Sequence, residues 1–258
     1  MWISFANLEF FALVLIRITT MIMLMPVFGY TQVPGRVKIT LGLVLTLLLI
    51  PVLEIDPSSY ANLSFFSWAG LVFEQVAIGV FFGFIANFIF MAIQLSGQII
   101  GMQMGFGIVN VLDPESGLQV STIGQMKNMF FLIVFLGING HHYLIRVMVE
   151  SFSQVPPGTL HIDPQLFGEL VRMSGQVFSW ALRIGIPVMA SLFLTEVAMG
   201  IVARTVPQMN IFIVGFPVKI GMGLMLLMIS TPVMVILFQQ LLRLVELDLQ
   251  QMLHLLGG

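Results

Sequence analysis

Polar and apolar positions do not alternate along this chain. Apolar residues gather in long runs, separated by short polar or proline-bearing breaks. Runs of this length predict helices rather than strands. The first is Phe10 to Phe28, with Arg17 in its middle and Pro26 near its end. Gly29 to Lys38 connects it to Ile39–Leu53, which as a helix reaches only about 22 Å, short of a ~30 Å hydrocarbon core. Glu54 to Ser64 is an acidic connection. Gln75 to Leu112 then runs for 38 residues without a formal charge. A straight helix of that length measures about 57 Å, too much for one span, so a break is expected near Gly105 or Gly107. Met104 to Gln125 reads as a long glycine-dotted loop, a kind of segment that is commonly functional. Asn128 to Ser151 is a fourth helical region, interrupted by Gly137, Asn139 and Gly140. After a turn from Phe152 to Pro164, Gln165 to Arg204 forms a fifth, punctuated by Pro187. Thr205 to Pro217 is a connection. Lys219 to Leu247 is the sixth run, with Pro232 inside, and Gln239 to Leu256 continues as an amphipathic tail. The pattern predicts an all-α integral membrane protein of about six long, partly broken apolar helices, forming one membrane-embedded domain over residues 1–258.

Composition strengthens the membrane assignment. Hydrophobic residues make up 58% of the chain and charged residues 9%, against roughly 25% charged in ordinary soluble domains. That much apolar surface does not fit inside one water-soluble core of 258 residues, which excludes a soluble enzyme and a disordered chain. The net charge of −2 provides no basic field for nucleic acid. Without cysteine there is no disulfide framework, thiol nucleophile or zinc-thiolate site. Met1 to Leu8 has no Lys or Arg and no small-residue cleavage site follows, so the first apolar run is expected to stay in the mature chain. Arg36, Lys38, Lys127, Arg204 and Lys219 fall in or beside connections one, three and five. Six simple spans would then leave both termini outside the cytoplasm. Short and broken segments at membrane depth are tolerated only against other protein or a water-filled cavity, so an assembled complex is expected rather than a lone bundle in lipid.

Enzyme motifs are missing. The three lysines are followed by Ile39, Asn128 and Ile220, so there is no P-loop. His141 and His142 are adjacent and diverge on a helix, which makes them a poor metal pair. Arg17, Glu74, Arg183 and Glu196 lie within apolar surroundings and are expected to be buried, facing protein or water. They form either an ion path or interhelical pairs with snorkelling ends. Gly97, Gly101 and Gly105 fall at four-residue spacing, as do Gly79 and Gly83, and small faces of this kind let another helix approach closely. The 19 methionines and 23 phenylalanines either fill cores and lipid-facing surface or form a deformable seal around a variable substrate. The best candidate for such a seal is the run with Met102, Met104 and Phe106.

Three stretches then carry a resemblance. One is Arg17 with Met25, Pro26, Val27 and Phe28, followed by Val33 to Arg36 and Ile39. Another is Gly97–Gln98, Gln103 to Phe106, Asp113–Pro114, Asn139 to His141 and Ser151–Phe152. The most specific is Ala203 to Phe212, containing Pro207, Gln208, Asn210 and Phe212, followed by Gly215 to Lys219. Together they cover essentially the whole chain. They resemble the FliR family, the R subunit of the flagellar type III export gate, whose injectisome counterparts form the virulence branch.

The resemblance implies a non-enzymatic pore subunit without cofactor or metal. It would assemble with P-type and Q-type gate subunits into a helical spiral and work with the A-type and B-type export proteins. Unfolded flagellar substrates would pass through it at the bacterial inner membrane, within the basal body, with lipid around and no nucleic acid involved. Residues Met104 to Thr122 would be the pore plug. Phe106, Ile108 and Val109 would give apolar occlusion and Asp113–Pro114 a turn, and Gly105, Gly107 and Gly117 would let the segment move. The same segment is also readable as a static contact to a neighbour, and Pro207, Gln208, Asn210 and Phe212 as a subunit-contact motif. A secondary transporter or ion channel is the competing class, since such proteins also use broken helices and ionisable residues. Six short segments without a strong repeat count against it.

Overall fold

The computed structural model describes residues 5–30, 32–53, 55–60, 63–106, 121–161, 163–208 and 210–257. Among them are seven α-helices: α1 Phe5–Leu24, α2 Gly35–Leu49, α3 Phe65–Met104, α4 Thr122–Gly137, α5 Gly140–Gln154, α6 Pro164–Thr205 and α7 Ile211–Gly257. Short 3₁₀ turns occupy Ile50–Val52 and Pro57–Tyr60. The six apolar regions correspond to these helices, with the fourth region divided into α4 and α5.

Several boundaries have a local cause. Ser64 caps α3, accepting the Ser67 amide on its hydroxyl at 3.3 Å. Asp163 caps α6 through the Gln165 amide at 2.8 Å, and Pro164 takes the first helical position, where no amide is needed. Between α4 and α5 the chain bends by 72°. Asn139, at φ 60°, makes this turn, and asparagine tolerates that left-handed conformation better than most residues.

Several expected boundaries move. Helix α3 starts at Phe65, so Glu74 lies within it. The connection expected over Thr205–Pro217 shrinks, because α7 begins at Ile211 and runs for 47 residues with Pro217 and Pro232 inside. Beside Pro232, the Ser230 hydroxyl donates to Leu226 O at 2.6 Å and the Thr231 hydroxyl to Leu227 O at 2.7 Å. Such back-bonding keeps polar groups satisfied within an apolar helix. Lys127, expected in a connection, is buried in α4.

Packing separates the chain into two compact units. The first comprises 1–88, 136–173 and 244–258, and the second 89–135 and 174–243. In the first, α1 is the central helix, with Leu13, Val14, Ile18 and Met21 fully buried. It sits close to α2 at Gly42, where a Cβ would lie 2.6 Å from Thr19 Oγ1. It sits close to α3 at Gly79 and Gly83, where a Cβ would lie 2.7 Å from Thr20 Cβ and 2.5 Å from Leu24 Cβ. In the second unit, Phe90, Phe131, Phe135 and Phe238 form an aromatic core, with ring centroids 5.1–6.0 Å apart.

Four helical stretches among the described residues are long and apolar enough to cross a membrane, five if α4 and α5 count as one bent span. They differ in cover. The most apolar window of α3 is 61% buried, that of α6 only 11% and that of α7 22%.

Candidate functional site

In the second unit, the C-terminal end of α3 carries Gly97, Gly101, Met104, Gly105 and Phe106 of the residues singled out from sequence. Helix α3 stops at Met104. The Phe106 amide donates to Gly101 O and the Gly105 amide to Met102 O, both at 3.0 Å. Gly105 has φ +97°. This paired bonding around a left-handed glycine is a Schellman cap. It satisfies the last carbonyls of α3 and turns the chain sharply away. Met104 is fully buried, and Met102 is exposed.

The chain returns at Ser121. Its hydroxyl accepts the Gly124 amide at 3.2 Å, capping α4, and donates to Gly97 O at 3.2 Å. A Cβ on Gly101 would lie 2.7 Å from that hydroxyl oxygen, and a Cβ on Gly97 would lie 2.5 Å from Gly124 Cα. Gly97 thus meets the backbone of α4 and Gly101 the side chains of Ser121 and Ile123, while Gly105 faces the Phe216 ring of α7, 2.6 Å from where its Cβ would be. The departure and the return of the chain are anchored on the same small-residue face of α3. Met104, Gly105 and Phe106 belong to the departing anchor and Thr122 to the first turn of α4. Gly107, Ile108, Val109, Asp113, Pro114 and Gly117 lie outside the described residues.

The turn joining α6 and α7 precedes Phe216, through which α7 meets this anchor. Pro207, Gln208 and Asn210 are exposed on it. Asn210 caps α7, its Oδ1 accepting the Ile213 amide at 3.4 Å; the Phe212 side chain lies outside the described ones. Beside the turn is a cleft of about 300 Å³, lined by Met199, Gly200, Ala203, Gly215 and Phe216. Glu196 and Lys219 also line it and are ion-paired at 2.8 Å.

The four ionisable residues expected to be buried fare differently. Arg17 alone is fully buried. In the first unit its Nε donates to Gln75 Oε1 at 2.7 Å and its Nη1 to Ser151 O at 2.8 Å, and the guanidinium lies 4.3 Å over the Phe152 ring. Glu74 is half-buried and accepts the Gly158 amide at 2.8 Å. Next to it, Tyr60 donates to Pro157 O at 3.0 Å; burial pushes its phenol above the usual range. Arg183 and Glu196 are corrections, since both are exposed. They lie on the uncovered side of α6, and Glu196 balances its charge with Lys219. The buried cation missed from sequence is Lys127, whose Nζ donates to Ser96 Oγ at 2.8 Å. A signal was present: Lys127 follows Gly124 and precedes Phe131 at helical spacing on one buried face. Gln75 and Ser151 also lie at helical spacing on buried faces, with Ile78 and Phe82 and with Leu144 and Val147, but nothing in that spacing named Arg17 as their partner. No cluster of three metal-ligating side chains occurs among the described residues.

Among the described residues the arrangement anchors and packs helices. A family model for bacterial export proteins, family 1, matches residues 8–245. The flagellar biosynthetic protein FliR of Escherichia coli (strain K12) is 32% identical over 232 residues, covering 90% of this chain and 87% of that protein. Its namesake in Bacillus subtilis (strain 168) is 33% identical over 250 residues, covering 96% and 95%. Another in Pectobacterium carotovorum subsp. carotovorum is 33% identical over 219 residues, covering 84% and 82%.

Proposed function

We infer the function from one premise: the chain belongs to family 1 of the bacterial export proteins, the FliR family. It is a membrane subunit of the flagellar type III export gate at the bacterial inner membrane, within the basal body. It joins P-type and Q-type subunits, works with A-type and B-type export proteins, and forms part of the conduit for unfolded flagellar proteins. It performs no catalysis of its own. The flagellar names of its relatives favour this over the injectisome branch.

The observation that carries the reading is the contrast in cover between helices. Helices α6 and α7 are long and apolar, yet most of their strongest windows is unburied within this chain. Contiguous apolar faces of that size call for lipid or partner helices. The turn carrying Pro207, Gln208 and Asn210 is a subunit contact at the end of those faces. Residues Met104 to Thr122 are the plug of the closed pore, held at both ends on α3. The anchoring supports this role, because a plug must move without unfolding its scaffold.

The test is deletion of Gly107–Gly117 in the intact complex. Small-ion leak across the inner membrane, flagellar export and co-purification of partners are measured together. Leak from an assembled complex is expected. No leak with intact assembly and normal export would remove the plug role.

A further inference from the structure

Two side-chain matches of opposite sense join α3 to α7. At one, α7 supplies bulk and α3 the space: the Phe216 ring lies over Gly105, where a Cβ would be 2.6 Å from Cδ1 and 2.8 Å from Cε1. At the other, α3 supplies bulk and α7 the space: Met104 lies over Gly223, where a Cβ would be 2.7 Å from its Cγ, Sδ and Cε. Phe216 and Gly223 are two turns apart, hence on one face of α7. Met104 and Gly105 are the last helical residue of α3 and its cap. Sliding α7 by one turn, about 5.4 Å, destroys both matches together. Between them on α7, Lys219 is paired with Glu196 of α6 at 2.8 Å. One short stretch of α7 therefore holds both α6 and the α3 cap.

We propose that Phe216 and Gly223 are positioning residues that set the register of α7 on the α3 cap, and so hold in place the point where the chain leaves α3. This rests on the gating reading above. The two matches act as a unit, because either alone leaves α7 free to slide or rotate.

The test is a size-swap cycle in the assembled export complex, read as ion leak at equal co-purification. Gly223→Ala pushes a methyl into Met104, and overpacking of this kind shifts a two-position equilibrium by about ten-fold. A leak increase of that order is expected. In the Met104→Ala background, whatever its own leak, adding Gly223→Ala should change leak by less than about two-fold, since the space the methyl needs is already there. Additive effects of the two changes would overturn the proposal. A second readout covers variants that assemble poorly. The chain has no native cysteine, so Met104→Cys with Gly223→Cys holds the only thiols of this subunit. Oxidation should close an intrachain disulfide in the complex; failure to form it would overturn the packing itself. If deletion of Gly107–Gly117 leaks while the cycle is additive, the register lock fails and the plug stands. If the deletion does not leak, gating falls and the functional part of this proposal falls with it, even where the disulfide forms.

Discussion

Arg17 shows what a single residue contributes in this fold. Its guanidinium gathers Gln75, the Ser151 carbonyl and the Phe152 ring, so α3 and α5 meet on one side chain of α1. Removing it leaves a cavity and strips partners from buried acceptors. Arg17→Ala should destabilise the detergent-solubilised chain by about 3 kcal/mol, read as a shift in its denaturant midpoint. Arg17→Lys keeps the charge but loses the planar fork, and should fall between the two. The sequence made Arg17 visible, because a charge in an apolar run needs a partner. Its partners were not visible, since Gln75 and Ser151 are ordinary polar residues whose role depends on tertiary neighbours. For Arg183 and Glu196 the same reasoning failed. An apolar neighbourhood in sequence is burial only where the helix face is covered, and α6 is largely uncovered.

At the scale of the element, glycines decide which helices touch. The four-residue spacing of Gly97, Gly101 and Gly105 was legible, but the division of labour along it was not. Two of these face α4 and the third faces Phe216. Gly97→Leu drives a side chain into the Gly124 backbone and should cost about 2 kcal/mol or more, with faster proteolysis at α4 as a second sign. Gly175→Ala is the contrasting case, with nothing within 4 Å of the added methyl. It should stabilise the isolated chain by up to about 1 kcal/mol through helix propensity alone. Helix ends were less legible than helix interiors. Pro217 read as part of a connection because proline opposes helix, yet it lies early in α7, where an apolar context and tertiary packing outweigh it.

On the scale of the whole molecule, the all-α membrane architecture followed directly from the apolar runs, whereas the division into two compact units had no sequence signature. Each of α3, α6 and α7 contributes residues to both units. The uneven cover of these helices makes a further expectation. Single cysteines replacing Phe193 or Ile229, both exposed on α6 and α7, should react readily with an apolar maleimide in the lone chain in detergent. Co-expression with P-type and Q-type partners should lower that labelling several-fold if these faces are subunit contacts. Unchanged labelling would assign them to lipid.

The common footing of the chain on α3 has a consequence for engineering. Where both feet of an excursion are fixed to one rigid element, its contour length is nearly decoupled from the stability of what lies beneath. Closure entropy grows only logarithmically, by about 0.6 kcal/mol for each doubling of length. Foreign sequence spliced between Phe106 and Ser121, such as an epitope or a protease site, should leave the solubilised fold within about 1 kcal/mol of the parent and, on the plug reading proposed above, alter transport. Folding and conduction would then become separately adjustable properties of one polypeptide.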